Sequence, residues 1–119
     1  MNNLLTLERE SAAKWFRALR DEIVAAFESI EERHGSGPGS ERQAGRFELR
    51  ETKRAAPDGG DAGGGLMSVM RGGRVFEKVG VNISTVHGSL GEAAQKSLTA
   101  RKELPGLAEN PGFWASGIS

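Results

Sequence analysis

The side chains that could do chemistry are few, and their types exclude much. In 119 residues there are two histidines, His34 and His87, and no cysteine. Disulfides, thiolate catalysis and cysteine-ligated metals within this chain are therefore ruled out. Two histidines do not complete a metal site by themselves. His87 is an acid–base candidate by type, yet no partner for it is identifiable in the sequence. It follows Asn82 and Ser84 closely, and all three either point toward a ligand or satisfy backbone groups at a sheet end. The run Gly63-Gly64-Gly65 suggests a phosphate loop at first sight. It leads into a strand rather than a helix, and no Lys-Ser or Lys-Thr pair follows. Close backbone approach or a mobile lid is the better expectation for it.

The stretch around that run, GGGLMSVMRGGRVFEKVGVNISTVHGSL (residues 63–90), organises the chain. Met67 to Met70 and Arg74 to Val86 read as strands, rich in β-branched and apolar residues. Gly72-Gly73 between them suits a two-residue type I′ turn, in which both central residues take positive φ. That turn sets Arg71 opposite Arg74, Met70 opposite Val75, Val69 opposite Phe76 and Ser68 opposite Glu77. The apolar pairs support this register, whereas the facing arginines oppose it. Either the loop is wider than two residues, the pair meets an anion, or the two arginines splay into solvent. In the second strand Val79, Val81 and Ile83 share one parity with Val75, and Phe76, Lys78, Asn82 and Ser84 the other. Gly80 invites a bulge.

The remaining elements must position this hairpin. Ser11 to Arg33 reads as an amphipathic helix, starting as early as Asn3 or Thr6. Ala12, Trp15, Phe16, Leu19, Ile23, Ala26, Phe27 and Ile30 form its apolar face. Lys14, Arg17, Asp21, Glu28, Glu31 and Glu32 are expected elsewhere around it. Packing on a sheet is favoured over a coiled coil, because the stripe lasts too few heptads. Gly35 is a plausible left-handed stop. His34 to Gly45 reads as a linker, Phe47 to Thr52 as a weak strand, and KRAAPDGGDAGGG as a mobile loop. Gly91 to Lys102 reads as a helix with Ala94 and Leu98 facing inward. Phe113 and Trp114 lead into what reads as the start of a strand at Gly117-Ile118-Ser119. A domain seldom ends on an unpaired new strand, so the chain is expected to continue past Ser119.

Composition narrows the function classes. Lys+Arg and Asp+Glu both number 16, which gives none of the basic excess of a nucleic-acid or membrane-surface protein. A single Arg71-Gly72-Gly73 triplet among balanced charges does not argue for RNA binding. The start MNNLLTLERE lacks the pattern of a secretory signal, and no apolar run approaches a membrane span. A cytoplasmic location is the simplest expectation. Seventeen glycines against 37% hydrophobic residues make a lean core, as for a piece of something larger.

The words GGG, VMRGGRVFEKVGVNIS and TVHG (Thr85 to Gly88), with FWASGIS (Phe113 to Ser119) closing the chain, resemble the amino-terminal region of oxygen-dependent coproporphyrinogen III oxidases. A tryptophan common in that family, two residues before an arginine, is replaced by Thr52 ahead of Arg54, and the stretch to the glycines is lengthened. The resemblance implies an α+β fold, part of a large mostly antiparallel sheet flanked by helices. Residues 1–119 would be the amino-terminal portion of one such domain, truncated at Ser119. It further implies oxidative decarboxylation of two propionates of coproporphyrinogen III to give protoporphyrinogen IX in haem biosynthesis. Molecular oxygen would be co-substrate and no organic cofactor would be used, with a divalent metal left open, in a homodimer. Ser119 matches a serine that contacts substrate in the family. Val69, Met70, Arg71, Gly72, Gly73, Arg74, Val75, Phe76, Glu77 and Lys78 match a segment implicated in its dimer contact. The family's catalytic residues fall beyond the equivalent of Ser119, so none is assigned here. The alternative is a short non-catalytic relative acting as a dimerisation or interaction module.

Overall fold

The computed structural model describes residues 3–119. A long helix, α1 (Asn3–Arg33), is followed by strands β1 (Glu48–Ala55), β2 (Asp61–Arg71) and β3 (Lys78–Ser89). A short helix, α2 (Glu92–Thr99), and strand β4 (Gly112–Ile118) complete it. The four strands form one antiparallel meander in the order β1-β2-β3-β4, an α+β arrangement with α1 laid across one face. The sheet predicted from the resemblance is thus present in part.

Period-two alternation sorts the sheet into two faces. Met70, Ser68 and Leu66 of β2 stand beside Val79, Val81 and Ile83 of β3, under α1. The core is Phe47, Met70 and Val81, with Ile23, Val24, Phe27, Phe76, Val79 and Ile118 packed on it. Phe27 lies edge-on to Phe76 at 4.8 Å and to Phe47 at 6.2 Å between centroids. Such edge contacts add to the burial of apolar area.

The buried side of α1 departs from its apolar stripe. Phe16, Leu19, Ile23 and Phe27 are half-buried as expected, but Trp15 is 60% exposed and Ile30 38%. The centre of the buried face runs instead through Arg20, Val24 and Glu31, two turns of helix separating the last two. Glu31, expected in solvent, is fully buried. Residues 4–11 of α1 are exposed, and within them Arg9 lies over the ring of Trp114 in β4 at 5.4 Å.

Four further expectations are corrected. The β2–β3 turn is not Gly72-Gly73 but a six-residue loop, residues 72–77. The register is therefore displaced by an even number, with Arg71 opposite Lys78, Met70 opposite Val79, Val69 opposite Gly80 and Ser68 opposite Val81. An even shift keeps every side chain on its expected face, which is why the alternation was readable and the partners were not. The segment read as a mobile loop forms the β1–β2 hairpin, turning at residues 56–60. There Ala56 N–H donates to Gly60 O at 2.8 Å and Gly60 N–H to Asp58 Oδ1 at 2.8 Å, an Asx-type closure. Gly35 does not take positive φ; α1 stops without it. On α2, Ala94 and Leu98 are exposed, Leu98 at 51%, because among the described residues no helix or strand packs over that side of it.

Gly63 to Gly65 sit inside β2, and here the backbone-approach expectation holds. A Cβ built on Gly63 would meet Thr85 O, on Gly64 Thr52 O, and on Gly65 Ile83 O. The neighbouring strands approach more closely than any side chain at these positions would allow.

Candidate functional site

The carboxylate of Glu31 accepts four backbone N–H groups. Its Oε1 accepts backbone N–H groups of Gly45 at 2.7 Å and Arg74 at 2.5 Å. Its Oε2 accepts those of Val75 at 2.7 Å and Phe76 at 2.9 Å. Three consecutive N–H groups thus converge on one anion, the arrangement called a nest. Burial pushes the Glu31 carboxyl up, but the N–H groups of Gly45, Phe76, Val75 and Arg74 outweigh it and hold it at about 2. This explains the wide loop, because N–H groups spent on Glu31 cannot join the β ladder. The Arg74 side chain follows the same route, Nε donating to Arg42 O at 2.6 Å and Nη1 to Glu31 O at 3.4 Å. Beside it Glu28 accepts Phe47 N–H at 2.9 Å, and Arg46 pairs with Glu32. Of the three ways out of the Arg71–Arg74 conflict, the structure takes the wider loop: Arg71 lies opposite Lys78 and is exposed, and Glu31 binds the backbone of Arg74 rather than the arginine pair.

This clamp fixes the segment matched to the dimer contact. Met70 and Gly73 are buried, Phe76 packs on Phe27, and Arg71, Gly72, Val75, Glu77 and Lys78 are exposed. Val75 is the exposed apolar residue of the loop, at 45%. The segment divides accordingly into an anchored half and a presented half.

The second feature is the sheet face opposite α1. Across the four strands a row of Arg50, Met67, Asn82 and Ser119 lies in register on this face. Asn82 and Ser119 exchange backbone hydrogen bonds at 2.8 and 2.9 Å, so their side chains stand as direct neighbours. The next row is small: Thr52, Gly65, Ser84 and Gly117. Asn82 and Ser84 therefore come together on the open face with Ser119. His87 does not join them; it pairs with Trp114 and has the opposite parity. Among the described residues, no three His, Asp or Glu side chains converge as metal ligands. The residues on this face do not fit a metal site.

Comparison with known proteins identifies the chain. The family model described as coproporphyrinogen III oxidase matches residues 11–119. The chain belongs to the coproporphyrinogen III oxidase family. It is 46% identical over 111 residues to the oxygen-dependent coproporphyrinogen-III oxidase of Rickettsia bellii, covering 93% of this chain and 35% of that protein. The like-named proteins of Rickettsia felis and Rickettsia rickettsii are 42% and 41% identical over the same length and with the same coverage. The chain thus spans about a third of the length of these relatives. No solved structure matches. No described helix is long and apolar enough to cross a membrane.

Sequence reasoning missed Glu31 altogether. Its only signal was position: it shares a meridian with Val24 but carries the wrong polarity for the face. An acidic residue two turns beyond an apolar one, followed later by a Gly-Gly loop, was readable only with the tertiary fold in hand.

Proposed function

We propose that this chain is the amino-terminal portion of an enzyme that oxidatively decarboxylates coproporphyrinogen III to protoporphyrinogen IX. Each propionate converted to a vinyl group releases carbon dioxide and two electrons. Two conversions supply the four electrons that reduce one molecular oxygen to two waters. The names of the relatives and the family match support this reading. In it the open sheet face is one wall of the substrate site, and Ser119 touches the substrate. The observation that carries this is the polar row ending at Ser119, set beside a floor of small residues that leaves space for a broad ring. The exposed loop around Val75 faces the second subunit of a homodimer. The reacting acid and base come from the part of the protein that the relatives have beyond this length. The location is cytoplasmic.

The test is a chimera in which this chain replaces the matching segment of the Rickettsia bellii protein. Conversion of coproporphyrinogen III under air is followed by the fluorescence of the oxidised product. The chimera is expected to turn over and the 119-residue chain alone to be inactive. A folded chimera without activity, or turnover by the chain alone, overturns the reading.

A further inference from the structure

On the open face, Asn82 presents an unusual atom. Its Oδ1 is buried and has no hydrogen-bond partner, although leaving a buried carbonyl unpaired is costly. Its Nδ2 lies 3.6 Å from where a Gly80 Cβ would stand, while Oδ1 is turned away from that position. Gly80 is therefore the vacant floor over which the amide lies. Of the donors in the row, Arg50 is two strands away, and the direct neighbours of Asn82 are Met67 and Ser119. Met67, directly across on β2, has none. Ser84 is two residues along β3 on the same face, so its hydroxyl stands farther along the strand than the direct cross-strand neighbour. Ser119 is the direct cross-strand partner, tied to Asn82 by two backbone hydrogen bonds. Its hydroxyl chooses among three staggered χ1 positions.

We infer that Asn82 is the positioning residue for Ser119, its Oδ1 taking the hydroxyl proton. The inference rests on the open face being the substrate wall. A serine hydroxyl has one proton and two lone pairs. With the proton committed to Asn82, Ser119 Oγ faces the ligand only as an acceptor. The substrate class offers two kinds of polar group, pyrrole N–H donors and propionate carboxylates, which only accept. Ser119 thereby reads the pyrrole N–H groups of the ring and rejects carboxylates, and the propionates are bound elsewhere.

Two measurements on the 119-residue chain test this separately. In isotopically labelled protein, the Asn82 side-chain carbonyl carbon resonance is expected to move in Ser119→Ala and to stay in place in Ser84→Ala. An unmoved resonance in Ser119→Ala overturns the pairing, whatever the chain binds. Binding is then compared for coproporphyrin III and its zinc chelate, which has the same four propionates and no pyrrole N–H. Asn82→Ala and Ser119→Ala are each expected to weaken the free base about five- to tenfold and the zinc chelate by less than about twofold, with no further loss in the double variant. Asn82→Ser restores an acceptor and recovers part of the loss. Equal weakening of both ligands overturns the acceptor role. Binding of neither ligand by the wild-type chain overturns the substrate-wall reading and the ligand role with it, while the resonance experiment still decides the pairing.

Discussion

Replacing Glu31 by glutamine removes one oxygen and one charge from a site built for both. Each carboxylate oxygen takes two backbone N–H groups, Gly45 and Arg74 on one, Val75 and Phe76 on the other. Glutamine keeps a single carbonyl and turns an NH2 toward the remaining pair. Two buried donors are orphaned at about 1–3 kcal/mol each, giving a loss of about 2–6 kcal/mol. The neighbouring Glu28→Gln is the control. Glu28 takes one backbone N–H, from Phe47, which an amide oxygen also accepts, so its loss stays below about 1 kcal/mol. The pH dependence separates charge from shape. The carboxyl falls from its ordinary 4.5 to about 2 on folding, so the native state holds the proton less tightly than the unfolded state. Its contribution is complete above pH 4.5 and is lost as pH falls to about 2. From that shift it is on the order of 3 kcal/mol. Urea unfolding followed by circular dichroism, at pH 7 and at steps down to pH 3, measures both variants against the parent. The gap between Glu31→Gln and the parent should be widest at pH 7 and narrow on acidification. A gap that is small at pH 7, or no larger than that of Glu28→Gln, would refute the reasoning.

Other changes report on the same architecture. A Cβ on Gly73 would stand 2.5 Å from Glu31 Oε1, so Gly73→Ala should destabilise by several kcal/mol on the scale of Glu31→Gln, whereas Gly72→Ala, strained only by its φ of 61°, costs about 1–2 kcal/mol; equal thermal midpoints would count against the nest. Phe27→Ala removes the ring that touches both Phe47 and Phe76 and should cost about 3 kcal/mol, while Trp15→Ala on the exposed side should cost less than about 1 kcal/mol by the same unfolding assay. Val75→Asp should weaken self-association of the chimera in analytical ultracentrifugation without changing its unfolding, but Phe76→Asp should unfold the loop as well, because Phe76 packs on Phe27. Identical sedimentation for Val75→Asp and the parent would remove the loop from the subunit contact.

What the sequence made legible follows from what periodicity can carry. The faces of β2 and β3 were readable because alternation survives an even register shift, and the core placement of Met70, Val79 and Val81 followed. The partners across the turn were not, because the turn is decided by Glu31, more than forty residues earlier in sequence. Trp15 and Ile30 were misplaced for a related reason: hydrophobicity alone cannot tell which of two apolar edges of α1 meets the sheet when the true centre carries Arg20 and Glu31. Leu98 and Ala94 were placed inward by spacing alone, and both are exposed. On the open face, Asn82 and Ser84 were visible as candidates by type, and alternation along β3 already puts His87 on the other face, but only register shows that Asn82 stands beside Ser119.

The Glu31 nest also bears on the order in which the chain folds. Gly72 and Gly73 N–H close the loop base on Glu77 O and Phe76 O at 2.8 and 2.9 Å, but the next three N–H groups have no native acceptor until the last turn of α1 arrives from 43 to 45 residues away. Closing so long a span is entropically costly before other contacts hold the ends. The helix and the local meander can form early; the loop must wait for them to dock. Removing the Glu31 carboxylate should then accelerate unfolding and leave the refolding rate nearly unchanged, a split that stopped-flow measurements on Glu31→Gln would show directly.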